Sequence, residues 1–198
     1  MLKKDEEDQS KKELLDVLQR NIDYMKNLVV KTIELAQLNT QKKGLKLEDV
    51  NIDEIIQKII KSKKAIIEKM GINIQYISKC KKPVLGNKLA LEELITNIIE
   101  NSIKYNKKDG TIKIETTKDN NYLKAMIKDS GIGMTKIQID QIFNEFYKAD
   151  ESRHNFESSG LGMTIAKRIV DLHHGKIWVE SEGLNKGTTV YFTLHLKI

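Results

Sequence analysis

The chain has 198 residues, enough for one α/β domain with a small appendage. At 39% hydrophobic and 31% charged it can build a core and is not globally disordered. No apolar run approaches the roughly 20 residues of a membrane span, and the charged start, Met-Leu-Lys-Lys-Asp-Glu-Glu-Asp, leads into no apolar region, so it is not expected to be a signal peptide. The lone Cys80 cannot form an internal disulfide and fits a reducing compartment, so the expected location is cytoplasmic, either alone or as the cytoplasmic portion of a larger protein. The net charge of +6 would suit a polyanion. The lysines are dispersed, however, and the densest runs (61–64 and 79–82) lack interleaved aromatics, so nucleic acid is not an expected partner.

Residues 6–41 read as one long helix. Leu14, Leu18, Met25, Leu28 and Leu35 form one stripe and Leu15, Ile22, Val29, Ile33 and Ala36 a second beside it. So wide an apolar face suits a helix with several neighbours, as in a four-helix bundle, and self-association is the preferred reading because no comparable helix follows. Lys42-Lys43-Gly44 should end it. After an extended link, Asp53 is expected to cap a helix running to about Met70, and the alternation of Ile72 to Ile77 predicts a strand. Pro83 lies in the connection that follows, and Asn87 is the expected N-cap of a helix over 88–105. Asp109-Gly110 reads as a hairpin-type turn, with antiparallel strands at 111–117 and 122–128 separated by a turn at Asn120-Asn121. A short helix is expected over 139–146, then a lid-like loop over 147–159, a helix over 163–173, and strands over 176–182 and 188–196. Helices and strands mix without βαβ alternation, so the expected class is α+β: a sheet with helices on one face and a long helix at the N-terminus.

Three segments carry candidate chemistry. Asn97 and Asn101 lie four apart on one helix face, followed by Lys104 and Tyr105; an amide oxygen is a hard ligand suited to Mg²⁺, and a lysine one turn on can neutralise phosphate. Asp129 ends an apolar strand before Ser130-Gly131-Ile132-Gly133: its carboxylate can accept from an exocyclic amine, and the glycines let a base lie against the backbone. Ser159-Gly160-Leu161-Gly162-Met163 opens a helix, where glycine freedom and unpaired N–H groups make an anion cradle. It is not a Walker loop, since no Gly-Lys-Ser/Thr follows.

The order Asn97-x-x-x-Asn101, Asp129-x-Gly131-x-Gly133, Phe143-x-x-Phe146, Gly160-x-Gly162 and Gly187-Thr188 resembles the catalytic domain of sensor histidine kinases, in the GHKL ATPase superfamily. The likeness covers residues 45 to about 196 and implies a two-layer α/β sandwich, a mixed five-stranded sheet with three helices on one face, holding ATP under a mobile lid. By the resemblance Asn101 is the Mg²⁺ ligand with Asn97, Lys104 and Tyr105 near the nucleotide, Asp129 takes the adenine amine, and Gly131, Gly133 and Thr188 line the site. Ser159 to Met163 would line the phosphates, Phe143 and Phe146 would anchor the lid, and Lys148 or Arg153 would reach the γ-phosphate from it. One departure is Ser158-Ser159-Gly160, where many relatives have Gly-Thr-Gly.

Residues 1–44 are similar to the second helix of that family's dimerisation and phosphoacceptor hairpin, leaving 45–198 as the ATP-binding domain. The family's histidine box is missing; His154, His173, His174 and His195 read as surface or structural residues. The sequence therefore reads as a kinase without its own acceptor, a piece of a longer sensor protein. Its expected partners are a separate histidine-bearing hairpin, a second copy in a homodimer, and the receiver domain of a response regulator. The alternatives are a GHKL-type ATP hydrolase or clamp, or a regulatory module that binds ATP without kinase activity. Hydrolytic relatives carry a water-activating glutamate four residues before the metal asparagine, and here that position is Asn97.

Overall fold

The computed structural model describes residues 2–40, 46–148 and 159–197. The Lys42–Gly44 helix stop, most of the expected lid, Arg153 and His154 lie outside them. Alternating strands build a sheet with one apolar face. Strands β2 (Asn73–Ser78), β4 (Thr111–Asp119), β5 (Tyr122–Asp129), β6 (Ile177–Glu180) and β7 (Thr189–His195) pair in the order β2-β4-β5-β7-β6. Only β2–β4 is parallel, so the sheet is mixed and five-stranded as expected. Its register sets Ile114 opposite Ile127 and Ala125 opposite Phe192, all on the buried face. The opposite face carries Lys113, Glu115 and Lys124, with Trp178 stacked on Tyr191 at 5.0 Å between ring centroids.

Helices α2 (Ile52–Ser62), α4 (Lys88–Lys104) and α6 (Gly162–Leu172) cover the apolar face, α4 packing on β5 and α6 on β7 while α2 and α6 both pack on α4. Ile55, Ile56, Leu94, Ile98, Ile165 and Ile169 fill the layer between, every one buried. Helix α1 (Leu2–Thr40) rests against α6. Among its described side chains Leu35 alone is buried, whereas Leu14, Leu15, Ile22, Met25 and Val29 are exposed. Among the described residues no helix is long and apolar enough to cross a membrane.

Local details depart from the sequence expectations. The N-cap of α2 is Asn51, not Asp53: Asn51 has extended backbone and its side chain accepts from the Asp53 N–H at 3.0 Å. Asp53, being inside the helix, turns its carboxylate to the Tyr76 and Ser78 hydroxyls, and burial together with that carboxylate raises the Tyr76 phenol pKa. The single helix expected up to Met70 breaks at Lys63, whose backbone leaves helical geometry, and restarts as α3 (Lys64–Met70). Asp109-Gly110 is not a hairpin; it joins α4 to β4, with Asp109 at φ 56°. The helix expected over 139–146 is α5 (Lys136–Gln141), started earlier by a capping box between Thr135 and Gln138. Two three-residue strands, β1 (Glu48–Val50) and β3 (Val84–Gly86), pair antiparallel in a small second sheet that the sequence reading missed.

Candidate functional site

Helix α4 is the frame of the site. Asn87 caps it, its side chain accepting from the Ala90 N–H at 3.0 Å, while Leu91, Leu94, Ile95, Ile98, Ile99 and Ile103 bury one side. With that side fixed, Asn97, Asn101 and Lys104 emerge on the other, towards a cavity of about 800 Å³. That volume lies in the range of small-molecule sites. Asn97 is itself buried, and its Nδ2 donates to Glu93 Oε1 at 3.0 Å. The same Glu93 oxygen accepts from Lys31 Nζ of α1, and Lys31 also pairs with Glu34 at 3.2 Å. Burial opposes the Lys31 ammonium, but its bonds to Glu93 and Glu34 outweigh it and raise the pKa.

At the end of β5, Asp129 Oδ1 accepts from the N–H groups of Gly131 at 2.8 Å and Thr188 at 3.1 Å. Burial raises the carboxyl pKa and those two donors partly offset it. Asp129 and Gly131 stand behind the cavity wall, which Gly133 and Thr188 form. Gly133 has φ 65°, and a Cβ there would come within 2.1 Å of the Gly183 carbonyl, so this turn tolerates glycine alone.

The third wall is the turn into α6. Gly160 has φ 73°, and a Cβ on it would meet the Phe146 backbone at 2.7 Å. A methyl placed on Gly162 would lie 3.3 Å from Asn97 Oδ1, which measures how closely the turn approaches the asparagine helix. Thr164 ties the turn down by donating to the Phe143 carbonyl at 3.1 Å.

Eleven expected site residues line this one cavity: Asn97, Asn101, Lys104, Tyr105, Gly133, Lys148, Ser159, Gly160, Gly162, Met163 and Thr188. Leu161 does not; it is buried in the core. Phe143 packs against the core while Phe146 is exposed. Lys148 Nζ lies 5.2 Å from the Tyr24 ring centroid, over α1. The sequence reading missed the share of α1 in the wall (Tyr24, Asn27, Val30 and Lys31) and that of Lys63, Ile66 and Met70. Tyr24, the one aromatic of α1, is the only sequence signal that could have hinted at it.

A mixed five-stranded sheet under three helices, with asparagines and a glycine turn converging on one cavity and a carboxylate hydrogen-bonded to its wall at Thr188, defines the class of ATP-binding α/β sandwiches. The chain belongs to the histidine kinase-, DNA gyrase B- and HSP90-like ATPase family, whose profile matches residues 86–198. It is 34% identical over 186 residues to cyanobacterial phytochrome B of a Nostoc species, covering 92% of this chain and 24% of that protein. It is 39% identical over 111 residues to the sensor histidine kinase WalK of Bacillus subtilis, covering 54% of this chain and 18% of that protein. The chain thus spans a quarter or less of the length of these two curated relatives. The fold is also that of full-length ShkA, solved in complex with AMPPNP, at TM-score 0.77 and 21% identity over 88% of this chain and 37% of that one.

Proposed function

We propose that this chain is the ATP-binding catalytic part of a sensor histidine kinase, passing the γ-phosphoryl group of ATP to a histidine outside the chain for relay to the receiver domain of a response regulator. The observation that carries the reading is Asn97, a buried amide at the cavity in the position where hydrolytic relatives need a glutamate. With an amide there in place of a carboxylate, the cavity can position a triphosphate without the base that those relatives use to activate water.

Division of labour follows from the walls. Asp129 accepts from the adenine amine behind Thr188, its Oδ1 already fixed by two backbone donors. The Ser159–Met163 turn offers its N–H groups to the phosphates at the start of α6. Asn101 and Lys104, on the cavity side of α4, stand where a divalent cation and phosphate charge need a hard oxygen and a cation. Mg²⁺ held by Asn101 would neutralise phosphate charge in the transfer. Lys148 and Arg153 are placed in the sequence to reach the γ-phosphate from the lid.

The exposed stripes of α1 support its role as half of a dimerisation hairpin, packing in a homodimer against histidine-bearing helices. On this reading residues 1–44 form the partial hairpin and 45–198 the catalytic domain. The test is to mix the chain with Mg²⁺-ATP and a separate histidine-bearing hairpin. Acid-labile phosphate on the hairpin is the expected result; steady release of inorganic phosphate without it would favour the hydrolase.

A further inference from the structure

The ion pair between Lys31 and Glu93 joins two elements that the sequence places in different units. Lys31 sits about three quarters of the way along α1 and lines the nucleotide cavity; Glu93 lies one helical turn before Asn97 on α4. The two side chains keep only 27% and 29% of their accessible surface, so the pair is shielded more than most others among the described residues. The Lys58–Glu92 and Lys79–Glu115 pairs, for example, expose 68% and 59% of their lysines.

What separates this pair from a surface bridge is the shared acceptor. Glu93 Oε1 takes both the Lys31 ammonium and the Asn97 Nδ2–H. Among the described residues no other ion-paired carboxylate oxygen accepts from an amide of the cavity wall. An amide is planar, so fixing Nδ2 on Glu93 turns Oδ1 the opposite way, and Oδ1 is the atom nearest to a methyl built on Gly162. Glu93 therefore sets which end of the Asn97 carboxamide the phosphate turn meets. It would do so at the cost of a negative charge near a bound triphosphate, and Lys31, which also pairs with Glu34 of its own helix, offsets that charge from α1.

We propose that Lys31 is a positioning residue of the nucleotide site: by neutralising Glu93 it keeps the Asn97 carboxamide set for phosphate binding, so nucleotide affinity depends on α1 being seated. The inference rests on the nucleotide reading of the cavity and deepens it. If α1 lifts away, Lys31 leaves with it, the unpaired Glu93 carboxylate repels phosphate, and the site weakens without any change in the residues that touch nucleotide. Position of α1 and occupancy of the cavity are then coupled in both directions.

The experiment is competition binding of a fluorescent ATP analogue with Mg²⁺ to the full chain and four variants. Lys31→Met should weaken binding about tenfold, with the deficit shrinking at high salt. Lys31→Arg keeps the pair and should bind within about twofold of the unmodified chain. Glu93→Gln still accepts from Asn97 and carries no charge, so Lys31→Met/Glu93→Gln should bind within about twofold of the unmodified chain, and Glu93→Gln alone, which removes a negative charge while Lys31 stays, should bind at least as tightly as the unmodified chain. Rescue in the double variant is the signature of charge cancellation, since a packing role for Lys31 would leave it as weak as Lys31→Met. Unchanged binding by Lys31→Met, or an unrescued double variant, overturns the proposal while leaving the nucleotide reading intact. Absence of binding by the unmodified chain overturns both.

Discussion

Helices α1 and α4 are both amphipathic, yet they meet their surroundings in opposite ways. The 17 residues of α4 include eight buried ones, most of them apolar and packed within the chain. The 39-residue α1 buries Leu35 and leaves Leu14, Leu15, Ile22 and Val29 more than half exposed. An apolar stripe specifies that a face will be covered and says nothing of by what. On α4 the cover is the sheet and two neighbouring helices, which leaves its polar side rigid enough to carry chemistry. On α1 most of the stripe stays uncovered within the chain; what it shares with the sandwich is its packing on α6 around Leu35 and the cavity wall through Lys31 and Tyr24.

That contrast can be broken by mutation. Ile98→Ala opens a void in the layer between α4 and the sheet and should cost about 3 kcal/mol in urea unfolding. Leu18→Ala on α1 should cost under about 0.5 kcal/mol in the dilute monomer; equal losses would mean that α1 is as much a part of the folded unit as α4. Asp129→Asn should weaken binding of an ATP analogue about thirtyfold, measured by calorimetry, because a charged acceptor for the adenine amine is lost.

A smaller effect tests how α6 holds the α4 N-terminus. His173 is buried; its Nδ1 donates to the Ile169 carbonyl at 2.7 Å and its Nε2 accepts from the Asn87 N–H at 3.0 Å. Burial lowers its pKa below the usual value, so the neutral ring belongs to the folded state. The sign follows: its contribution is complete above the unfolded pKa of about 6.5 and is lost as pH falls through the lower folded value. Urea midpoints should decline from pH 7.5 to 5, and His173→Gln should flatten that limb. A similarly small change is expected of Tyr24→Ala, which removes the ring under Lys148 and should alter stability by roughly 0.5 kcal/mol.

Much of this was legible in the sequence, for identifiable reasons. Asn87 and the run from Leu91 to Ile103 give α4 a cap and a period, and the alternation on either side of Asn120-Asn121 gives β4 and β5 their pairing. The glycine turns were legible because positive φ and close backbone approach leave few other residues possible. The break at Lys63 was hidden because the isoleucines on both sides continue one helical period. Asn51 and Asp53 are both capping types two residues apart, and only the backbone conformation distinguishes them. Strands β1 and β3 are too short for alternation to register. The share of α1 in the cavity was illegible in principle, since periodicity shows that Tyr24 and Lys31 lie seven apart on one face but not what that face meets.

The central claim is that the cavity between α4, the Asp129 turn and the start of α6 holds ATP with a divalent cation. Calorimetric titration of the full chain with a non-hydrolysable ATP analogue, with and without Mg²⁺, tests it most directly. The account predicts one site per chain, tighter with Mg²⁺ and severely weakened by Asp129→Asn. Absence of binding, or binding indifferent to Asp129→Asn, would contradict it.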